Sequence, residues 1–278
     1  KQMTIIKEEL IEIKERYGED RRTEILAVGT TFSVEDMIAE EDAVLTFTHK
    51  GYVKRTAAAT YRSQRRGGRG LQGAKAKEED FVEHLFVANT HDYILFFTDK
   101  GKCHWLKVHE IPPGGRAARG RAIVNLLGTE PGEKVKAFVS VKTFDEEKFI
   151  IMATRKGRIK KTKLSAYGKP RKGGIYAIDI REGDELIEAK ITNGENDIVL
   201  GTREGKSIRF PEADARPMGR KTRGVIGIKL SKKDDYVVGM VVVRREGTLL
   251  VATEKGFGKR TEVMQYRIQK RSGKGVLA

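Results

Sequence analysis

The chain has 278 residues, with 55 Lys or Arg against 39 Asp or Glu, a formal net charge of +16 and a pI near 9.8. This balance makes a polyanion the first partner to consider, either nucleic acid or an anionic membrane. No stretch approaches the roughly 20 consecutive apolar residues of a membrane span, and the amino terminus does not resemble a signal peptide. We therefore expect a cytoplasmic protein without a membrane partner. The single cysteine, Cys103, excludes an internal disulfide and is interpreted as a packing residue.

The amino-terminal residues carry a helical pattern. Ile6, Leu10, Ile13 and Tyr17 follow one another at steps of four, three and four residues, with charged residues between them. Gly18 stands where such a helix would end. The pattern predicts a short amphipathic helix whose apolar stripe needs a partner, such as a preceding domain.

The rest of the chain repeats one motif five times: an apolar run, a Thr, two polar residues and a Gly. The glycines stand at positions 51, 101, 157, 205 and 256, so the steps are 50, 56, 48 and 51 residues. A basic run follows each glycine, as in residues 52–55 and 158–161. An apolar run, a glycine turn and a second run predict a β-hairpin in every repeat.

Each repeat also contains two further apolar stretches ahead of the hairpin, for example residues 224–230 and 236–243. Four short strands in a unit of about fifty residues are typical of a propeller blade. Five such units in tandem favour blades arranged around an axis over the two stacked sheets of a β-sandwich. The predicted fold is therefore an all-β, propeller-like disc of four-stranded blades with a short N-terminal helix.

A second repeated element is polar and basic. We call its copies loops 1 to 5; they are residues 62–70, 115–121, 169–174, 219–224 and 270–275. The loop glycine follows the turn glycine by 19, 19, 17, 19 and 19 residues, so every blade presents its loop at the same place. The loops contain 4, 3, 3, 3 and 3 Lys or Arg and no Asp or Glu. Their total of 16 positive charges equals the net charge of the whole chain. Around a disc, these loops would form a cationic track that duplex DNA can follow.

The chemistry of the loops suits the DNA backbone. Arginine offers paired donors to phosphate, and glycine lets backbone N–H groups approach it closely. Nothing resembles a helix or ribbon for reading base edges, and aromatic platforms for single strands are scarce. We therefore predict sequence-tolerant binding of double-stranded DNA. The candidate contacts in loops 2 to 5 are Arg116, Arg119, Arg121, Arg171, Lys172, Arg220, Lys221, Arg223, Lys270, Arg271 and Lys274.

Loop 1 contains the run Gln64, Arg65, Arg66, Gly67, Gly68, Arg69, Gly70. This run is identical to the heptapeptide known as the GyrA box, and residues 21–25, 51–54 and 85–92 also resemble gyrase sequence. The chain thus resembles the C-terminal DNA-wrapping domain of the bacterial DNA gyrase A protein along essentially its whole length. The resemblance implies a β-pinwheel whose blades exchange strands, with six blades where five repeats are visible here. It also implies that Gln64 to Gly70 form the wrapping site.

The resemblance gives a domain organisation. Residues 1–24 would be the end of a coiled-coil arm and a linker, and residues 25–278 the pinwheel. Its repeat units would run roughly over 25–70, 71–120, 121–174, 175–224 and 225–278. The implied partners are double-stranded DNA and, in an A2B2 holoenzyme, the N-terminal domain of the gyrase A protein and the gyrase B protein. The isolated domain is expected to be monomeric and, in the cell, associated with the nucleoid.

No catalytic apparatus is visible in the sequence. There is no Walker-type phosphate loop, and the five histidines do not cluster with Cys at metal-ligand spacing. We expect no catalytic residue, metal or cofactor in this chain, which would be the binding part of an ATP-dependent type II topoisomerase, an isomerase. Two alternatives stay open: a topoisomerase IV-type domain that grips DNA without wrapping it, and a protein-interaction propeller, although the Trp-Asp signature of such propellers is missing.

Overall fold

The computed structural model describes residues 2–23, 34–61, 80–115 and 118–278. It divides into two units, Lys1–Met37 and Ile38–Ala278. Loop 1, with the whole of Gln64 to Gly70, and Arg116 of loop 2 lie outside the described residues.

The first unit contains the predicted helix and a 3₁₀ turn at Val34–Met37. The helix, α1, spans Gln2–Tyr17, and Gly18 donates its N–H to the carbonyl of Lys14 at 2.8 Å, closing the last turn. Every described residue of α1 is exposed, including the apolar stripe. The helix prediction is confirmed.

The described residues of the second unit form eighteen strands. They are β1 (Asp42–Thr48), β2 (Tyr52–Ala57), β3 (Val82–Asn89), β4 (Tyr93–Thr98), β5 (Lys102–Lys107), β6 (Arg121–Ala122), β7 (Val135–Val141), β8 (Phe149–Thr154), β9 (Arg158–Lys163), β10 (Ile175–Tyr176), β11 (Leu186–Thr192), β12 (Asp197–Thr202), β13 (Lys206–Pro211), β14 (Val225–Ile226), β15 (Val237–Val243), β16 (Thr248–Ala252), β17 (Gly258–Glu262) and β18 (Val276–Leu277). The predicted hairpins 1 to 5 are β1–β2, β4–β5, β8–β9, β12–β13 and β16–β17.

The Thr-x-x-Gly motif forms the turn of each hairpin. In hairpin 3, Gly157 adopts a φ of +81° and donates its N–H to the carbonyl of Thr154 at 3.0 Å. The Thr154 hydroxyl oxygen accepts a second bond, from the N–H of Arg158, at 3.2 Å. Hairpins 1, 2 and 4 repeat both contacts. Thr is therefore required for its hydroxyl and Gly for its positive φ.

Four hairpins are completed into four-stranded antiparallel sheets by strands from the following segments. We number these sheets 1 to 4, in the orders β3-β1-β2-β6, β7-β4-β5-β10, β11-β8-β9-β14 and β15-β12-β13-β18. The strand that precedes the next hairpin pairs with the first strand of the present one. A two-residue strand that follows the basic loop of the next repeat pairs with the second strand of the present hairpin. Each sheet therefore takes its outer strands from chain further on.

This exchange changes the meaning of the repeat. The sequence unit 175–224, for example, supplies β10 to sheet 2, β11 to sheet 3 and hairpin 4 to sheet 4. This unit contains four strands, as predicted, but they are distributed over three sheets. Long-range pairing decides this, and a repeat pattern read along the chain does not contain it.

The hydrophobic core lies between consecutive sheets. On β4, Ile94 and Phe96 pack toward sheet 1, while Leu95 and Phe97 pack toward sheet 3, and all four are fully buried. A third cluster, with Leu200 and related side chains, joins sheets 3 and 4. Because successive side chains point to opposite faces and both faces are covered, these strands read as continuous apolar runs.

Short helical segments separate the sheets from their loops. A 3₁₀ turn follows the second strand of every hairpin, at Ala58–Thr60, Val108–Glu110, Leu164–Tyr167, Glu212–Asp214 and Val263–Gln265. A short helix, α2 (Ile123–Leu127), follows β6 and ends at Gly128 in the left-handed conformation. Its buried Ile123 and Leu127 join the core between sheets 1 and 2.

Hairpin 5 differs from the others. No strand among the described residues pairs with the outer edge of β16 or of β17, so the fifth repeat forms a two-stranded sheet. Leu250 and Phe257 are exposed there. The four exchanged sheets nevertheless confirm the predicted all-β pinwheel, and four complete blades and one partial blade are described.

Candidate nucleic-acid interface

Strand exchange sets the place of each basic loop. Each of loops 2 to 5 follows its own hairpin in sequence but lies against the second strand of the preceding hairpin, because the short strand after the loop pairs there. Loops 2 to 5 thus lie against β2, β5, β9 and β13 in turn. The four loops occupy equivalent positions on four successive sheets.

The glycine that closes each loop is required by this contact. At Gly224, φ is +74°, and a Cβ would lie 2.2 Å from the carbonyl oxygen of Ile159 on β9. Gly120, Gly174 and Gly275 also have positive φ and meet the equivalent strand carbonyl within 2.4 to 2.9 Å. These glycines therefore serve packing between blades. A Cβ at Gly115, Gly173 or Gly219 would meet nothing within 4 Å, so those glycines leave open space beside the loop cations.

Loop 2 is fixed by backbone and side chains of β2. Arg55 donates its backbone N–H to Pro112 at 3.1 Å and accepts from Gly114 at 2.8 Å. The Lys54 ammonium donates to the carbonyl of Gly115 at 3.1 Å, and Thr56 donates its hydroxyl to Gly114 at 2.9 Å. This segment is a parallel extension of the sheet.

β9 holds loop 4 through equivalent hydrogen bonds. Met218 donates its N–H to the carbonyl of Lys161 at 2.8 Å. The ammonium of fully buried Lys160 donates to the carbonyls of Arg220, in loop 4, and Ala177, just after loop 3. Arg158 donates from its guanidinium to the carbonyls of loop residues 223 and 224 at 3.1 and 2.7 Å. Side chains or backbone groups of three β9 residues thus hold this loop.

Burial has an electrostatic cost at these lysines. It lowers the pKa of Lys160 to about 7, and the Arg220 guanidinium acts in the same direction. Burial also lowers the pKa of Lys54. A buried ammonium is stable only where acceptors replace water, and the loop carbonyls supply them.

Loop 3 is held by a side chain of β5, whereas loop 5 repeats the backbone bond that holds loops 2 and 4. In loop 3, Trp105 of β5 donates its indole N–H to the carbonyl of Tyr167 at 2.8 Å, just ahead of the loop. In loop 5, Gln269 donates its N–H to Arg209 of β13 at 2.8 Å. Ser272 and Lys229 add backbone bonds between loop 5 and the segment after loop 4. Each loop is therefore tied to the preceding blade.

The predicted cations divide into two groups. Six are exposed, and the described part of the chain offers them no ion pair or hydrogen bond from the charged group. These are Arg121, Arg171, Lys172, Lys221, Lys270 and Lys274. Their charges are available to a ligand.

Three other predicted cations, Arg119, Arg223 and Arg271, are engaged within the protein. The Arg119 guanidinium stacks on the Tyr52 ring at 3.7 Å, and Arg223 pairs with Asp179 at 2.7 Å. Arg271 donates to the carbonyls of Asp214 and Ile226 at 2.9 and 3.3 Å. Arg220 is half-buried. These residues shape the loops, and their charge adds to the field at the same edge of the sheets.

The residues that hold the loops were not predicted from the sequence. Lys54, Lys160 and Arg158 read there as parts of basic strands, whereas Lys54 and Lys160 are almost fully buried. Their fixed distance from the turn glycine, three residues for both lysines, was the available signal.

The described residues show no sign of a metal site: no three His, Cys, Asp or Glu side chains gather within residues 2–23, 34–61, 80–115 and 118–278. No helix in those ranges could cross a bilayer.

The arrangement matches a known family. A family model described as the DNA gyrase C-terminal domain, a beta-propeller, matches residues 42–89, 92–142, 148–193, 196–244 and 247–278. Each of these segments contains one hairpin, and the first four also contain the strand that pairs with the first strand of that hairpin.

Known proteins are similar along the same length. The DNA gyrase A protein of Clostridium acetobutylicum is 50% identical over 275 residues, covering 99% of this chain and 33% of that protein. The corresponding protein of Mycolicibacterium smegmatis is 45% identical over 279 residues, covering 100% of this chain and 33% of that one. The chain spans about a third of the length of these curated relatives.

Two solved structures have similar folds. A C-terminal domain of DNA topoisomerase IV superposes with a TM-score of 0.72 at 29% identity, covering 87% of this chain and 73% of that one. A DNA gyrase A C-terminal domain superposes with a TM-score of 0.69 at 25% identity, covering 85% and 76%.

Proposed function

The chain belongs to the DNA gyrase C-terminal domain family, and on that premise we propose that it binds double-stranded DNA without sequence preference and wraps it along the basic loops. The observation that carries the proposal is the equivalent placement of loops 2 to 5 on four successive sheets. Exposed cations in these loops continue from blade to blade, whereas a scatter of surface charge would not. A duplex presents one phosphate charge per ~1.7 Å of axis, which suits a continuous track.

The contacts proposed are with the backbone. The free loop cations are Lys and Arg beside glycines that leave open space, a combination that suits phosphate oxygens and does not read base edges. Gln64 to Gly70 of loop 1 are proposed as the primary wrapping site on their identity to the family heptapeptide. Arg116 and the other loop cations would extend the path.

Wrapping requires many such contacts. Bending a duplex through a half turn over a few tens of base pairs costs on the order of 10 kcal/mol, because the persistence length is ~150 bp. One loop cannot offset this cost, but a series of loops at fixed spacing can. Because the blades are chiral objects in a fixed order, the wrapped path would have one hand and support negative supercoiling.

The parent protein is proposed to be an ATP-dependent type II topoisomerase of the bacterial cytoplasm that acts at the nucleoid. This chain would be its non-catalytic DNA-wrapping part, would need no cofactor of its own and would be monomeric when isolated. The N-terminal domain of the gyrase A protein and the gyrase B protein would complete an A2B2 holoenzyme. The 43–50% identity to gyrase A proteins supports this proposal.

A second candidate follows from the similarity to the topoisomerase IV domain. A domain of that type would bind the duplex along the same loops without wrapping it. Both candidates predict binding, and they differ in the topology that binding imposes on DNA.

Binding is tested by titrating the chain against a labelled duplex of random sequence at several salt concentrations. If the six free loop cations each contact a phosphate, they contribute about −5 to the slope of log affinity against log salt, from ~0.9 per contact, and the arginines of loop 1 make the slope steeper. Lys221→Gln should reduce this slope by about 1. The control is Lys142→Gln, which removes an exposed cation from the connection between β7 and β8, outside every loop. Equal effects of the two variants, or preference for a single strand, would contradict the proposal.

A further inference from the structure

The residue three places after the turn glycine faces the basic loop of the next blade. In hairpins 1 to 4 this residue is Lys54, His104, Lys160 and Ile208, and all four are buried. Two of the four are lysines whose ammonium groups donate to carbonyls of a basic loop, Gly115 in loop 2 and Arg220 in loop 4. These lysines lie in the sheets and belong to none of the loops.

We infer that Lys54 and Lys160 are positioning residues for DNA binding, which hold loops 2 and 4 in the conformation that presents their free cations to the duplex. The inference rests on the proposed function. It assigns the grip on DNA to pairs of blades, because the anchor and the loop come from consecutive hairpins.

Lys160 gives the strongest evidence for the positioning role, because it contacts the segments of two neighbouring loops. Its ammonium joins the carbonyl of Arg220 in loop 4 to that of Ala177, which follows β10 directly and lies close after loop 3. The backbone N–H of Asp179 donates to Thr222 at 3.1 Å, and the Asp179 carboxylate pairs with Arg223. One buried cation and one exposed ion pair thus tie the ends of two neighbouring loops together, so their spacing along the rim is fixed.

An ammonium is suited to this role. It has three donors, and the neutral amine that Lys160 becomes above about pH 7 keeps two, so the side chain can bind both backbone carbonyls in either form. With neither carbonyl aimed at the duplex, the loop turns its carbonyl oxygens toward the protein and its cations outward. Removing the ammonium would leave both carbonyls buried without a hydrogen-bond donor. The backbone that carries them would then move toward solvent, where water supplies the donor.

The chain itself supplies evidence that an apolar side chain fits. Hairpin 4 has Ile208 at this position, fully buried, and loop 5 is held instead by Arg271, Ser272 and backbone bonds. Lys160→Met and Lys54→Met therefore keep the volume of the strand and remove only the donor. Each variant is the other's control, because the two lysines hold different loops. Ile208→Val is the control for a small loss of core packing at the same position.

The first measurement is amide hydrogen exchange of the free 278-residue chain. Lys160→Met should accelerate exchange at Thr222 and Asp179 and leave Gly114 and Ala118 unchanged, and Lys54→Met should do the reverse. The second measurement is duplex affinity against salt. Each Met variant should weaken duplex binding by about threefold to tenfold, which corresponds to the net free energy of one hydrogen bond. It should also reduce the salt slope by about 1 or 2, because one or two loop cations would no longer contact phosphate. Ile208→Val should change neither.

The outcomes separate the inference from the function on which it rests. Faster exchange in the expected loop with affinity and salt slope unchanged would overturn the positioning role while leaving DNA binding intact. Unchanged exchange in both Met variants would overturn the anchor itself. If Lys221→Gln also has no effect on binding, the proposed function fails and the inference fails with it.

Discussion

Gly224 shows how closely one residue ties a basic loop to the next blade. The position combines a φ of +74° with 2.2 Å between a would-be Cβ and the Ile159 carbonyl oxygen. A side chain here has to strain the backbone and separate the loop from β9. Gly120, Gly174 and Gly275 combine the same positive φ with the same close approach to a strand carbonyl. Packing between consecutive blades therefore requires glycine at this position of each of these loops.

Gly224→Ala should therefore destabilise the chain by about 2 kcal/mol or more, from the left-handed backbone and the clash together. Urea unfolding at equilibrium measures this loss. Gly219→Ala is the matched control in the same loop, because its Cβ would meet nothing within 4 Å and its φ is not in the left-handed region. Similar free energies of unfolding for the two variants would show that the close contact does not constrain the loop.

Lys160 gives the chain a pH dependence of known sign. Its pKa falls from 10.5 to about 7 on folding, mainly through burial and then through Arg220, against a smaller opposite effect of Asp179. Above pH 7 the folded chain has released this proton and the unfolded chain has kept it, so the free energy of unfolding rises with pH until about pH 10.5. Below pH 7 both states carry the proton, and the burial cost is present in full.

Between about pH 7 and pH 9, wild type should gain about 2 kcal/mol of stability relative to Lys160→Met, from ~1.36 kcal/mol per unit of pH less the partial titration near 7. Urea unfolding of both proteins at half-unit steps of pH checks this. Parallel curves for the two proteins would mean that Lys160 keeps its ordinary pKa in the folded chain.

At the scale of elements, the hairpins and loops were predictable and the sheets were not. The Thr-x-x-Gly motif fixes each turn through local bonds such as that from Arg158 to the Thr154 hydroxyl, so the sequence alone was sufficient. Pairing of β10 with β5 joins residues some seventy apart, and no local pattern encodes it. The distribution of one repeat over three sheets follows from such pairings.

The candidate site was predictable to the same extent. Exposed cations such as Lys221 could be named from composition and spacing. Lys54 and Lys160 could not be separated from them, because a strand buried on one face should turn such lysines to solvent. In this fold both faces of the central hairpin strands are covered, so lysines such as Lys54 and Lys160 are buried there.

Hairpin 5 should be the least stable hairpin of the described chain. Hairpin 4 is flanked by β15 and β18 and packs fully buried side chains such as Leu200 on its strands. In β16 no residue is buried, and Leu250 is 69% exposed. Fewer buried apolar contacts allow local opening at lower free energy.

Native-state hydrogen exchange should therefore give protection in β16 and β17 that is lower than in β12 and β13 by about tenfold or more, the factor for each ~1.4 kcal/mol of opening free energy. The hydrogen-bonded amides of the two hairpins serve as each other's internal standard. Equal protection would mean that hairpin 5 opens only together with the neighbouring sheets.

At the scale of the whole molecule, exchange of strands makes the unit from Ile38 to Ala278 a linked series. Every sheet from 1 to 4 contains strands from later segments, and every loop from 2 to 5 lies on an earlier hairpin. A ligand that contacts several loops therefore acts on one connected body. DNA wrapping requires such a body. The loops cannot move apart, so the free energies of their contacts with DNA together offset the energy of bending the duplex.

The central claim is that this body wraps DNA with one hand, and ligation of nicked circular DNA in the presence of the chain tests it most directly. The resealed topoisomers are resolved on a gel over a range of protein concentrations. We predict a positive change in linking number that grows with protein and is lost when Arg65, Arg66 and Arg69 are replaced by Ala, while residual binding persists. Binding at the same concentrations with no change in linking number would contradict wrapping and leave a domain that only grips the duplex.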